Sequence, residues 1–123
     1  MPSEKLPLQH ELQSRGFLYQ TTSPDFFERF DAGGQNFYFG VDPTADSMHL
    51  GNFILFMHAI HYLRRGNKLF LVVGGATGMI GDPGGKDSER NFLDTETLEK
   101  NVAALERQSR RILENFGIPQ SQF

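Results

Sequence analysis

The chain has 123 residues, 38% of them hydrophobic and 22% charged, which suits one soluble globular domain with a buried core. No apolar run approaches the roughly 20 residues of a membrane span, and the first twenty residues lack the basic start and apolar stretch of a secretory signal. A net charge of -3 speaks against a protein that only grips nucleic acid, and a cysteine count of zero excludes disulfides and thiolate metal sites and is compatible with the expected cytoplasmic location.

Pro7 to Arg15 reads as a short helix stopped by Gly16. Ser23-Pro24-Asp25 looks like a helix start, with Ser23 as cap and Pro24 in the first turn, and the helix is expected to run to about Phe30. Ala32-Gly33-Gly34 then breaks the chain. Asn36 to Val41 is rich in aromatic residues and predicts a strand. A loop, Asp42 to Ser47, leads into a helix from about Leu50 to Arg65. That helix is apolar over most of its surface, through Phe53, Ile54, Leu55, Phe56, Met57, Ile60 and Leu63. His58, His61 and Arg65 form its polar stripe, and it is expected to be largely buried against a sheet. The three histidines His10, His58 and His61 read as surface or packing residues rather than ligands. Gly66-Asn67 ends the helix. Lys68 to Val73 is a continuous apolar run, as in a central parallel strand. A loop from Gly74 to about Lys86 follows and holds six of the 13 glycines, which suggests sharp turns or close approach to a ligand. A last helix is expected from Asp94 or Thr95, with Leu98, Val102, Leu105, Ile112 and Phe116 as its apolar face and Gly117 and Pro119 closing it.

Strand, loop, helix and strand make a βαβ unit with a right-handed crossover, so the class is α/β with a parallel sheet. Ligands of such sheets bind beyond the carboxyl ends of the strands. The loops after Val41 and Val73 both leave carboxyl ends, so neighbouring strands would set them side by side on one rim. The first loop ends in His49-Leu50-Gly51-Asn52 and opens a helix, whose free N–H groups and dipole attract anions. His49 and Asn52 are three apart, share a helical face and can both donate to phosphate oxygens, while Gly51 lets a flat ring or phosphate come close. From spacing alone a plainer reading stands beside this one: a histidine capping a helix, with a glycine in the turn. The second loop fits neither common phosphate fingerprint. GxGxxG is absent, and GxxxxGK[ST] fails because Ile80 stands where the first glycine belongs and Asp87 follows the lysine. Asp82 is placed to hold an ammonium group. Lys86 and Arg90 either fold over a polyphosphate or are solvated surface residues.

The two loops together carry a resemblance. Phe39-Gly40-Val41-Asp42-Pro43-Thr44-Ala45-Asp46-Ser47-Met48-His49-Leu50-Gly51-Asn52 resembles the first signature of the class I aminoacyl-tRNA synthetases. Val73-Gly74-Gly75-Ala76-Thr77-Gly78-Met79-Ile80-Gly81-Asp82-Pro83 is similar to the tyrosyl enzymes in particular, and Lys86 to Arg90 fits their flexible loop. The resemblance covers most of Glu11 to Phe123. One departure is Asn52, where the signature often ends in histidine. Asparagine keeps a donor but cannot carry a proton charge, which suits binding of phosphate or ribose rather than acid–base work.

The resemblance implies a Rossmann-like parallel sheet with flanking helices, in its N-terminal half, with a helical lead-in over residues 1–35 and a βαβ nucleotide-binding unit over residues 36–123. It implies activation of L-tyrosine by ATP, taken with Mg2+, to tyrosyl-adenylate and pyrophosphate, and then transfer to tRNA(Tyr), with no resident metal. Tyr38 would bond the substrate phenol, and Asp82 its α-ammonium with Thr77 nearby. Gly40, Asp42 and Pro43 would lie along the adenylate and Gly51 against adenine or ribose. Thr44, His49, Asn52, Lys86 and Arg90 would form the catalytic set, with Thr44 and His49 on the polyphosphate, Asn52 beside Gly51, and Lys86 and Arg90 closing on the pyrophosphate. Such enzymes also carry a second, lysine- and serine-containing signature loop, a second tyrosine-binding set, tRNA-binding elements and a dimer-forming insertion. None of these appears before Phe123, so the homodimer and the tRNA contact are expected of regions outside this chain, and the isolated chain is expected not to aminoacylate. Two alternative readings stand beside it: a non-catalytic module that binds ATP or tyrosine, and a structural fragment with an exposed apolar sheet that persists only with a partner.

Overall fold

The computed structural model describes residues 5–74 and 94–123. The expectations for Thr77, Asp82, Lys86 and Arg90, and for the glycine-rich loop that carries them, lie outside the described residues. The elements are α1 (Leu8–Ser14), α2 (Phe26–Ala32), β1 (Asn36–Val41), α3 (Leu50–Leu63), β2 (Lys68–Val73), α4 (Thr95–Asn115) and a 3-10 turn (Gln120–Gln122).

β1 and β2 pair in parallel, with Asn36 level with Lys68 and Val41 level with Val73. Side chains alternate across a strand, so Phe37, Phe39 and Val41 share one face with Leu69, Leu71 and Val73. Both long helices pack on that face. Phe56, Ile60 and Leu63 of α3 meet Leu69, Leu113 of α4 and Ile118 in one buried cluster, with Phe37, Phe39 and Leu71 against it. Phe39 meets Phe56 edge to face with ring centres 5.2 Å apart. The opposite face carries Tyr38, Gly40, Phe70 and Val72, all exposed. An apolar run on both faces belongs to a sheet covered on both sides. Among the described residues only one side is covered, because α3 and α4 lie on the same face.

The lead-in makes a second small core from Leu8, Leu12, Phe27 and Phe30, which leans on Phe37 and Tyr62. α2 begins at Phe26 rather than at Pro24. The Ser23 hydroxyl bonds the Asp25 carboxylate and caps no helical N–H, so residues 24–25 form a turn ahead of the helix. The break after α2 depends on Gly33, whose φ is 79°: a Cβ there would stand 2.5 Å from the Arg65 carbonyl oxygen.

The polar stripe of α3 faces the lead-in. The Arg65 guanidinium reaches Asp31 at 2.7 Å and Glu11 at 2.8 Å, and also donates to the carbonyls of Leu6 and His61. His61 Nδ1 lies 3.0 Å from the other Glu11 oxygen. Burial alone would raise the Glu11 carboxyl, but the hydrogen bond from Arg65 and the charges of His61 and Arg65 leave it below its ordinary range. Burial lowers His61, and the nearby Glu11 only partly restores it. His61 Nδ1 faces the carboxylate and donates its N–H to it. α3 is less covered than its composition predicts, since Leu50, Ile54 and Leu55 stay exposed, and it ends at Leu63 because residues 64–66 turn.

Asn67 ties three elements together. It is fully buried, accepts from the Gln35 N–H at 2.9 Å, and donates to the carbonyls of Phe30 and Tyr62, each at 2.9 Å. α4 starts at Thr95 with Asp94 as its cap, accepting from the Thr97 N–H at 2.7 Å. Its buried stripe is Leu98, Asn101, Leu105, Ser109 and Leu113. This corrects the expected apolar face. Val102 and Ile112 are only half-buried and Phe116 is exposed, because two polar residues occupy inner positions. At the end, Gly117 N–H bonds Glu114 O and Ile118 N–H bonds Leu113 O at 3.0 Å, which folds Ile118 back into the core beside Leu113.

Candidate active site

Because Val41 and Val73 are level, the segments after them leave the sheet at the same height. Neighbouring strands lie about 4.8 Å apart, so the two exits are one strand spacing from each other. The Gly74 N–H bonds the Val41 carbonyl at 3.0 Å and fixes this adjacency. The rim inferred from the two loops is therefore present as far as Gly74.

The loop from β1 to α3 is built around Pro43. Pro43 is fully buried, and its carbonyl accepts from Asn101 Nδ2 at 2.9 Å. The Thr44 N–H turns back to the Asp42 carbonyl at 2.9 Å. Residues 44–47 are exposed. The chain is held again at Met48, whose N–H donates to Gln108 Oε1 at 2.8 Å. Neither α4 side chain stands out in the sequence. No pattern in the sequence marks them, since the helix carries other polar residues on and beside the same face.

α3 opens on a reciprocal cap. His49 has extended backbone (φ -88°, ψ 172°), and its Nδ1 accepts from the Asn52 N–H at 3.2 Å. Asn52 Oδ1 in turn accepts from the His49 N–H at 3.3 Å. The plainer reading of the tetrad is thus what the structure shows: the histidine caps the helix. The cap also has a chemical consequence. With Nδ1 as acceptor, the proton of the neutral ring sits on Nε2, which becomes a donor on an exposed side chain. Gly51 belongs to the same unit, because a Cβ there would meet His49 Cε1 and Nδ1, each at 3.0 Å. The first turn of α3 itself contains no acidic residue, which leaves its N–H groups and dipole favourable to an anion.

The exposed residues Asp42, Thr44, His49 and Gly51 and the half-buried Asn52 gather at this rim. Tyr38 and Gly40 sit lower, on the open face of β1. Tyr38 is 76% exposed and so takes little part in strand packing. At about 3.3 Å of rise per residue, it lies roughly 10 Å below Val41. Among the described residues no group of three or more metal-ligating side chains gathers. A groove of about 490 Å³ between β2 and α4, lined by Lys68, Phe70, Val102, Glu106, Arg110 and Phe123 among others, contains none of the candidate residues.

Residues 33–118 match the family described as tRNA synthetases class I (W and Y). The mitochondrial tyrosine–tRNA ligase of Drosophila melanogaster is 46% identical over 109 residues, which is 85% of this chain and 24% of that protein. The tyrosine–tRNA ligase of Malacoplasma penetrans (strain HF-2) is 40% identical over 106 residues, 86% of this chain and 26% of that protein. A C-terminally truncated mitochondrial tyrosyl-tRNA synthetase from Coccidioides posadasii superposes with a TM-score of 0.70 at 28% identity, over 93% of this chain and 30% of that one. The chain spans about a quarter of the length of the curated relatives it matches. A parallel α/β unit of partial Rossmann-like form, a capped helix at its rim and a family match over most of its length lead to one assignment: the chain belongs to the class I tRNA synthetases of the W and Y group, in the N-terminal region of the tyrosyl members.

Proposed function

We propose that this chain forms the ATP-binding rim of a tyrosine–tRNA ligase, which joins L-tyrosine to ATP, releases pyrophosphate and passes the tyrosyl group to tRNA(Tyr). The observation that carries the reading is the His49–Asn52 cap. It leaves a fixed Nε2–H donor beside a helix N-terminus, with the exposed Thr44 on the same loop. In the reaction, a carboxylate oxygen of tyrosine bonds to the α-phosphorus while the bond to the bridging oxygen breaks. Negative charge moves onto pyrophosphate. Donors already in place stabilise that charge without reorganisation.

Thr44 and His49 take the polyphosphate of ATP, which enters as its Mg2+ complex. Asn52 bonds ribose or phosphate, and Gly51 admits the adenine or ribose. Gly40 and Asp42 run along the adenylate. Pro43 is buried, so its part is to hold the turn. Tyr38 bonds the substrate phenol, and a site built for that hydroxyl rejects phenylalanine because it would leave its own polar group unpaired. Asp82 with Thr77 takes the ammonium, and Lys86 and Arg90 take the leaving pyrophosphate. tRNA binding and a homodimer interface belong to sequence beyond this chain. The proposed setting is the cytoplasm, with no helix among the described residues long and apolar enough to cross a membrane.

Calorimetric titration of the chain with MgATP tests the reading. Binding is expected, and His49→Ala is expected to weaken it by about tenfold, the scale of one lost hydrogen bond to a charged group. No heat from MgATP, or equal affinity in the variant, would overturn it.

A further inference from the structure

Two side chains of α4 engage the loop between β1 and α3 from a distance in sequence. Asn101, 5% exposed, holds the Pro43 carbonyl, and Gln108 holds the Met48 N–H. They are seven residues apart, which is two helical turns, so they share a face and stand about 10.5 Å apart along the axis. Ser109, the other buried polar residue of that stripe, donates to the Leu105 carbonyl of its own helix and reaches no loop. The two contacts bracket the exposed residues 44–47. Each also adjoins a residue assigned to the polyphosphate: Thr44 follows Pro43, and His49 follows Met48. The five residue steps from 43 to 48 could extend to about 17 Å. Held to a shorter span, the segment has to arch away from the helix. α4 is itself locked to the sheet through Leu113 in the main core.

We infer that Asn101 and Gln108 are positioning residues, and that α4 is a splint which fixes the arch and so sets the separation of Thr44 from His49. The role of the arch rests on the nucleotide reading above. The way the arch is held does not.

The test uses the 15N-labelled chain, with amide hydrogen exchange followed by NMR and MgATP affinity by calorimetry. In Gln108→Leu, exchange at Met48 and across residues 44–49 is expected to rise by about tenfold or more, with Phe39 in β1 and Leu105 in α4 unchanged. MgATP affinity is expected to fall by about tenfold, the scale of one hydrogen bond. Gln108→Glu keeps the acceptor and restores the protection of Met48. Asn101→Ala acts in the same way at Thr44, and if that buried position does not tolerate the change, the half-buried Gln108 decides. Unchanged protection at Met48 overturns the splint. So does a loss shared equally by Phe39 and Leu105, which marks general destabilisation, or a loosened arch with undiminished MgATP affinity. Absence of MgATP binding by the unsubstituted chain counts against the nucleotide reading, and the exchange measurement then decides the splint by itself.

Discussion

The two ring nitrogens of His49 have separate parts, Nδ1 in the observed cap and Nε2 in the proposed phosphate contact. Nδ1 closes the cap on Asn52 and thereby makes Nε2 the donor. The spacing of three between His49 and Asn52 shows in the sequence that the two residues meet. It cannot show which atoms meet, and so the capping and the phosphate-binding readings look like rivals when they concern opposite sides of one ring. Gly51 separates the two roles experimentally. Alanine favours a helix over glycine by about 1 kcal/mol, while loss of a cap costs about 1 kcal/mol. Gly51→Ala places a Cβ 3.0 Å from the His49 ring, which must give by a few tenths of an ångström and so shifts both of its nitrogens. The expected result is a nearly unchanged thermal midpoint by circular dichroism together with a several-fold loss of MgATP affinity. A large fall in the midpoint with binding intact would contradict the dual role of the ring. The partners of the loop are not legible in the sequence at all. Asn101 and Gln108 act across 58 and 60 residues, and no local pattern marks an amide that will be needed so far away.

Both strands are legible from sequence, because aromatic and branched residues run between glycine, asparagine and proline punctuation and nothing distant competes with them. Errors arise where a polar side chain finds a partner that its own segment does not reveal. Ser23 bonds Asp25 and delays α2. Asn101 and Ser109 take inner positions on α4 that an apolar pattern gives to other residues. Asn67 looks like a turn residue after a glycine, yet its amide satisfies three main-chain groups from separate segments. Asn67→Ala leaves the Gln35 N–H without its partner and removes one of two donors from each of the Phe30 and Tyr62 carbonyls, which keep the N–H groups of Gly33 and Arg65. The expected cost is about 2 kcal/mol, most of it from the one unsatisfied N–H. Urea denaturation measures it, and a loss below about 1 kcal/mol would show that water or a small shift replaces the amide.

At the scale of the whole molecule, the lead-in is joined to the sheet unit by the cluster of Glu11, Asp31, His61 and Arg65, with Arg15 and His58 nearby. Burial lowers His61 and also His58, the latter with help from the charge of His61. A group held below its unfolded value stabilises the fold above that value, and the contribution is lost as pH falls through the folded one. For the two histidines the loss begins below about pH 6.5, and for Glu11 below about pH 4.3. The thermal midpoint is therefore expected to be flat from pH 8 to 7 and to fall between about pH 6.5 and 5, less steeply in His61→Gln. A midpoint that rises on acidification would contradict the lowering of both histidines. The cluster could not be read from sequence, since Glu11 and Arg65 are 54 residues apart.

The level pairing of Asn36 with Lys68 has a kinetic side. Strands joined in parallel cannot zip from a tight turn; the intervening chain must close first, at an entropic cost of about 3 kcal/mol for some thirty residues. About half of that chain is α3, so forming the helix shortens the path to be closed, and the capping pair that starts the helix assists strand pairing as well. The rim is then completed in the same event that joins the sheet: substitutions that weaken the start of α3 slow the folding of β1 onto β2, although they touch neither strand.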